Sequence, residues 1–174
     1  MCLPKTFLLG TEWPMFILPP ARLPKKEYLA KTSTFVRCCA DVVISIPQEK
    51  SICLAWRILQ PIGWFLFGGG IYPGESILAA AMRHLRVDTG LDLEEARFRY
   101  LDEYRYQYVG EEGALQDAIS KTFVVEWEKI ELLSVTISPD EYNPAKGLKQ
   151  FRKPELGTYG VPEPIMHIYN QIFP

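Results

Sequence analysis

Residues 68–91, "GGGIYPGESILAAAMRHLRVDTGL", decide the fold. Three glycines, Gly68 to Gly70, open a turn, and the composition then changes. From Glu75 to Thr89 the chain is rich in Ala, Leu, Met and Arg, which lose little conformational freedom in a helix. Leu78, Met82 and Leu85 fall at the i, i+4, i+7 spacing of one core face. Gly90 supplies the left-handed residue that ends such a helix. A glycine turn feeding a helix lets backbone N–H groups approach a diphosphate. The second half of the helix then reads Arg83-His84-Leu85-Arg86-Val87-Asp88.

Strand signals surround this segment. "FVRCCADVVISI" (35–46) is predicted as a buried strand with Asp41 inside it, and "PQEK" as a turn. "SICLAWRI" (51–58) is the hairpin partner, and "WFLF" a short strand before the glycines. "ARFRYLDEYRYQYV" (96–109) alternates, which predicts Phe98, Tyr100, Tyr104, Tyr106 and Tyr108 on one face of a strand. "DAISKTFVVEWEKI" (117–130) is the next strand, and "SPDEYNPAKG" (138–147) a polar loop. "KGLKQFRK" (146–153) has the charge of a solvated loop, with phosphate attraction as the second option. "PKKEYLAKTSTF" (24–35) and "PIMHIYNQIF" (164–173) are predicted helices. Strands on both sides of one central helix indicate a mixed α/β or α+β sandwich.

The whole chain bounds these expectations. Its 174 residues suit a single domain over 24–174, preceded by an extended arm at 1–23. A formal charge of −2 gives no general pull toward nucleic acid or an anionic membrane, so phosphate contacts must come from local groups. No apolar run reaches the ~18–20 residues of a membrane span. Cys2, Cys38, Cys39 and Cys53 have no metal-ligand spacing and suit reduced thiols in a cytoplasmic protein.

The spacing inside residues 69–91 then points to a family. Gly69 is followed by five residues and Glu75, seven more lead to Arg83, and Gly90-Leu91 closes the segment. This resembles the Nudix box, G-x5-E-x7-R-E-U-x-E-E-x-G-U, with U a bulky aliphatic residue. The resemblance implies a Nudix-type α/β/α sandwich with a mixed sheet, a Mg²⁺ or Mn²⁺ cofactor and a nucleotide or nucleotide-sugar ligand. It also implies that Glu75 and Arg83 pair to brace the loop against the helix. The box is degenerate: His84 and Val87 replace two of its glutamates, and Asp88 stands at the last acidic position.

One Nudix branch, the GDP-mannose mannosyl hydrolases, lacks the same two carboxylates. Those enzymes hold one Mg²⁺ and cleave the sugar C–O bond, releasing GDP and free sugar. The chain is similar to that branch at "CADVV", "LAWR", "WFLFGG", "TFVVEW" and "SPDEYN". By this resemblance Asp41, Arg57, Gly70, Phe123 and Tyr142 fall at substrate or metal-loop positions. Asn143 falls at the place of a histidine general base, and Asn has no titratable group for that work. The branch is dimeric, which implies a homodimer.

The residues leave several readings open. Asp88 could bind Mg²⁺ with the carbonyl groups of Gly68 and Gly69, or be an exposed residue set against the helix dipole. His84 is four residues before Asp88, so it could orient against Asp88 as a base, ligate a softer metal, or merely replace a ligand no longer needed. Asp41 either faces a cleft for substrate recognition or pairs with Arg57, which could itself grip a diphosphate. The tyrosines are packing residues, one or two of which could stack on a base. Three activities fit: C–O hydrolysis of a nucleotide sugar, binding without turnover, or pyrophosphate cleavage with ligands recruited from Glu111, Glu112 or Asp117.

Overall fold

The computed structural model describes residues 24–128 and 135–174. The expected arm at 1–23 and the end of the strand expected at 117–130 lie outside the described residues. Helix α1 (Lys25–Thr32) leads into β1 (Arg37–Ile46), which turns through Pro47–Glu49 into β2 (Ser51–Arg57). Two short strands follow, β3 (Gly63–Phe65) and β4 (Phe67–Gly70), and then helix α2 (Ile77–Thr89). The long strands β5 (Phe98–Val109) and β6 (Leu115–Glu126) come next. Strand β7 (Leu148–Arg152) and helices α3 (Lys153–Thr158) and α4 (Glu163–Ile172) complete the described chain.

The strands form one mixed sheet in the order β3-β2-β1-β6-β5, with β4 added to β1 and β7 to β2. Among the described residues the central β1–β6 pair is parallel and the other pairings are antiparallel. Strand β1 is central because both of its faces are apolar over its second half. Val42, Ile44 and Ile46 pack toward α2 with Leu85, Phe123 and Val125. Val43 packs toward α4 with Leu54, Val124, Phe151, Ile165 and Ile168. Helices therefore cover both faces, giving the three-layer sandwich. No helix among the described residues is long and apolar enough to cross a membrane.

Three expectations change. Strand β5 does not hold its tyrosines on one face: a bulge between Tyr100 and Asp102 interrupts the register with β6. Phe98 and Tyr100 face the α2 layer, whereas Leu101 and Tyr104 face the α4 layer. One extra residue in a strand reverses the facing of everything after it. The run "KGLKQFRK" is not a solvated loop, since Leu148–Arg152 pairs with β2 over five residue pairs. Two of its lysines lie on aromatic faces, with Lys146 Nζ 3.1 Å from the Trp56 ring centroid and Lys149 Nζ 3.1 Å from that of Tyr159. The segment 138–147 is not a free polar loop either, as its docking in the site shows.

Candidate active site

Helix α2 is placed by both of its ends. Ser76 caps it by accepting from Ala79 N–H, and Gly90 closes it at φ +76°. Glu75, just before the cap, meets Arg83 one face down the helix. Arg83 Nε and Nη2 each donate to the Glu75 carboxylate at 2.7 Å, and Tyr72 N–H donates to it at 2.9 Å. The Tyr72 ring covers the guanidinium at 3.8 Å. Arg83 Nη2 also donates to the Gly70 carbonyl at 3.0 Å, which ties the glycine turn to the helix. Glu75 and Arg83 thus brace the turn against the helix.

The glycine turn is tight because neighbours stand where side chains would be. A Cβ on Gly68 would run into Asp41 Oδ1 and the Ala40 carbonyl, and one on Gly69 would lie 2.6 Å from His84 Cε1. His84 therefore packs on the turn. Its Nε2 lies 3.0 Å from the Gly70 carbonyl, and a carbonyl only accepts, so Nε2 carries the proton. Burial lowers the His84 pKa below its ordinary value. Of the three readings open for His84, the pair with Asp88 does not form among the described residues: the imidazole is directed to Gly70.

Asp88 is not the exposed end-of-helix residue that was one of its two readings. It is 3% exposed, and its Oδ2 has no hydrogen-bond partner among the described residues. Burial first, and the charge of Glu141 second, push its carboxyl up to about 7; the Gly68 N–H, Arg57 and the Tyr142 hydroxyl pull it back. Glu141 comes from the segment expected to be a polar loop. That segment runs from the C-terminus of α2 to the end of β2 on backbone hydrogen bonds. Thr136 and Ser138 N–H donate to the carbonyls of Thr89 and Asp88, and Ile58 and Asn143 N–H connect to Glu141 and Trp56. This docking carries Glu141 to within 3.8 Å of Arg57 and buries Tyr142 to 1% exposure.

Two of the resembling positions change as a result. Tyr142 is a core residue, tilted against Phe67 at 5.5 Å with its hydroxyl donating to the Leu66 carbonyl at 3.0 Å. Its ring is not free to stack on a base, although one edge reaches the cleft. Asn143 closes the following turn, its Oδ1 accepting from Ala145 N–H at 3.0 Å, and it does not line the cleft. Phe123 is also outside the cleft. Strand alternation turns it into the α2 layer, 1% exposed and edge-on to Tyr100. Gly70 contributes its carbonyl to Arg83 and His84 and does not line the cleft. Asp117, one of the residues open to recruitment as a ligand, has its carboxylate on Arg105 and Gln107.

The cleft itself lies on the α4 face of the sheet, beside the glycine turn, with a volume of about 560 Å³. Asp41, Arg57, Gly68 and Gly69 line it, as does Tyr106, one of the tyrosines read as packing or base-stacking residues, and so do Arg37 and Ser120, which the sequence reading did not single out. Burial pushes the Asp41 carboxyl up to about 6, against the Ser120 hydroxyl, Arg57 and Arg37. Asp41 and Arg57 thus both face the cleft, and Arg57 makes its ion pair with Glu141. Cys39 also lines the cleft, but burial pushes its thiol up to about 11, which leaves it a poor nucleophile. The missed residues had one signal: Arg37, Cys39 and Asp41 are spaced by two and must share a strand face.

A glycine turn braced by Glu75–Arg83 against a helix, between the layers of an α/β/α sandwich, agrees with the family comparison. The NUDIX domain family matches residues 37–152. The chain belongs to the NUDIX domain family. Solved structures share this Nudix fold at low identity. A MutT protein from Methanosarcina mazei Go1 has a TM-score of 0.61 at 15% identity, covering 78% of this chain and 91% of that one. The NUDIX domain of Shewanella oneidensis NrtR, solved with ADP ribose, has a TM-score of 0.58 at 16% identity, covering 86% and 97%. A MutT/nudix family protein from Enterococcus faecalis has a TM-score of 0.52 at 15% identity; 74% of this chain matches, spanning about half (51%) of that protein. No curated protein sequence matches the chain. In this Nudix domain helix α2 carries His84 and Val87 ahead of Asp88, and Glu141, from outside that helix, acts on the Asp88 carboxyl through its charge.

Proposed function

We propose that this Nudix domain is a Mg²⁺-dependent nucleotide-sugar hydrolase that cleaves the sugar C–O bond, similar to the GDP-mannose mannosyl hydrolases. The observation that carries the reading is the cleft: Asp41, Arg57 and the Gly68-Gly69 turn open onto one space. The residues present fit a single divalent cation rather than a cluster. Asp88 Oδ2 is a buried acceptor without a partner among the described residues, Glu141 adds a second carboxylate whose charge acts on it, and the Gly68 backbone adjoins Asp88. Among the described residues no group of three or more His, Cys, Asp or Glu gathers for a metal. Asp88, Glu141 and the backbone of Gly68 and Gly69 would hold the ion. When bound, it neutralises phosphate charge and favours departure of the diphosphate.

The protein's own groups divide the remaining work. Arg57 binds the diphosphate and stabilises the charge that develops on it. Asp41 accepts the proton of a water whose oxygen bonds to the anomeric carbon. The sugar C–O bond breaks, and its electron pair leaves on the diphosphate oxygen. A carboxyl held at about 6 suits a general base near neutral pH. It takes the place of His84, which is bound to Gly70, and of Asn143, which lies outside the cleft. Those two placements are what favours the second reading, a nucleotide-sugar binding protein without turnover.

The test incubates the protein with Mg²⁺ and GDP-, UDP-, ADP- and dTDP-sugars in ¹⁸O-water, with Asp88→Ala beside it. Mass spectrometry should find ¹⁸O in a free sugar and an unlabelled nucleoside diphosphate, both lost in Asp88→Ala. Sugar phosphate with nucleoside monophosphate would replace the reading by pyrophosphate cleavage. Binding with no product would replace it by the second reading.

A further inference from the structure

We propose that the half of the cleft away from Arg57 is a nucleobase subsite, in which Arg37 reads the O6/N7 edge of a 6-oxopurine. The inference rests on the reading above that Arg57 marks the phosphate end. Arg37, Cys39 and Asp41 alternate along β1 and all line the cleft. From Arg37 to Asp41 the strand advances about 13 Å, at ~3.3 Å per residue. That is the scale of an extended nucleoside diphosphate, so a ligand with phosphates near Arg57 carries its base toward Arg37.

The Arg37 end is built to hold a guanidinium still. Nη1 donates to Tyr28 Oη from α1 at 2.9 Å, and Nη2 to Tyr108 Oη from β5 at 2.7 Å. A guanidinium has five N–H donors, so two tyrosines leave it incompletely satisfied. Its Nε is buried and has no partner among the described residues. A buried donor without an acceptor is unfavourable by roughly 1–3 kcal/mol, and the adjoining cleft is where an acceptor can enter. Tyr106 and Tyr108 line the same end and supply ring surface for a flat heterocycle. Aromatic surface beside a fixed fork of donors favours a base over a second phosphate. Guanine and hypoxanthine present two acceptors, O6 and N7, to such a fork, whereas adenine replaces O6 with an amino donor. Arg37 is thus the specificity residue, and Tyr28 and Tyr108 are its positioning residues.

Calorimetric titration of the full chain with GDP, IDP and ADP in Mg²⁺ tests this. IDP keeps O6 and N7 but lacks the 2-amino group. GDP and IDP should bind alike, and ADP about tenfold or more weakly. Arg37→Gln should abolish the preference. Tyr108→Phe keeps the ring, removes one anchor, and should lower the GDP-to-ADP ratio in a protein that still folds. Equal affinity for the three nucleotides, or a preference untouched by both variants, would overturn the assignment. So would IDP falling to the level of ADP, since the reader would then face the 2-amino group, and so would no binding at all. Failure of the hydrolase reading looks different: these affinities persist and no product appears.

Discussion

At the scale of single residues, two carboxylates have opposite relations to their surroundings. Glu75 receives two N–H bonds from Arg83 and one from Tyr72, and its side chain is 4% exposed. Glu75→Gln leaves the guanidinium with a neutral partner that offers one acceptor oxygen in place of two. A loss of about 2 kcal/mol is expected, read as a lower urea midpoint at unchanged m. Asp88 has a buried oxygen with no partner among the described residues, and its ionised form is disfavoured by burial and by Glu141. Asp88→Asn removes that charge at nearly constant shape. Without metal the variant should melt at or above the wild-type temperature at pH 8, and it should lose Mg²⁺ binding in calorimetric titration. A large drop in melting temperature would show that the ionised carboxylate is satisfied within the fold, against the case for a cation there.

At the scale of elements, the glycine turn makes a graded prediction. A Cβ on Gly70 would meet nothing within 4 Å among the described residues beyond its chain neighbours, so Gly70→Ala should change stability by about 0.5 kcal/mol or less. Gly69→Ala meets the His84 ring and should lose about 1–3 kcal/mol. Adding His84→Ala should restore part of that loss, a coupling that a double-mutant cycle measures. Gly68→Ala meets backbone at a φ of +150° and should be the most damaging of the three. This turn and helix were legible in the sequence because spacing, cap and left-handed stop are local signals. The face of Tyr104, Tyr106 and Tyr108 was not legible. Alternation presumes a regular register, and the bulge between Tyr100 and Asp102 leaves no local mark in "RYLDEY". Strand β7 was hidden for a related reason: Lys149 has the charge of a loop residue, but aromatic rings take its ammonium. Glu141 reaches the site only through tertiary docking of a segment that is polar by composition.

At the scale of the whole molecule, the groups around the turn couple stability to pH. Burial raises Asp41 from an ordinary 3.8 to about 6, and burial with Glu141 raises Asp88 to about 7. A carboxyl whose pKa rises on folding binds more protons in the folded state than in the unfolded chain. Its contribution is fully present below about pH 4, is lost as pH rises through the folded value, and is constant above it. Burial lowers His84, and that acts in the opposite sense: its contribution is present above the ordinary 6.5 and is lost as pH falls. Comparison with variants separates the terms. In metal-free buffer, the melting temperature of wild type minus that of Asp88→Asn should fall steadily from pH 4 to pH 7 and then level. The difference from Asp41→Asn should level nearer pH 6. Mg²⁺ occupies ionised carboxylates and competes with their protons, so it should remove the fall for Asp88 and leave that for Asp41. A pH-independent difference for Asp88→Asn would mean that the carboxyl titrates alike in both states, and burial would no longer explain its chemistry.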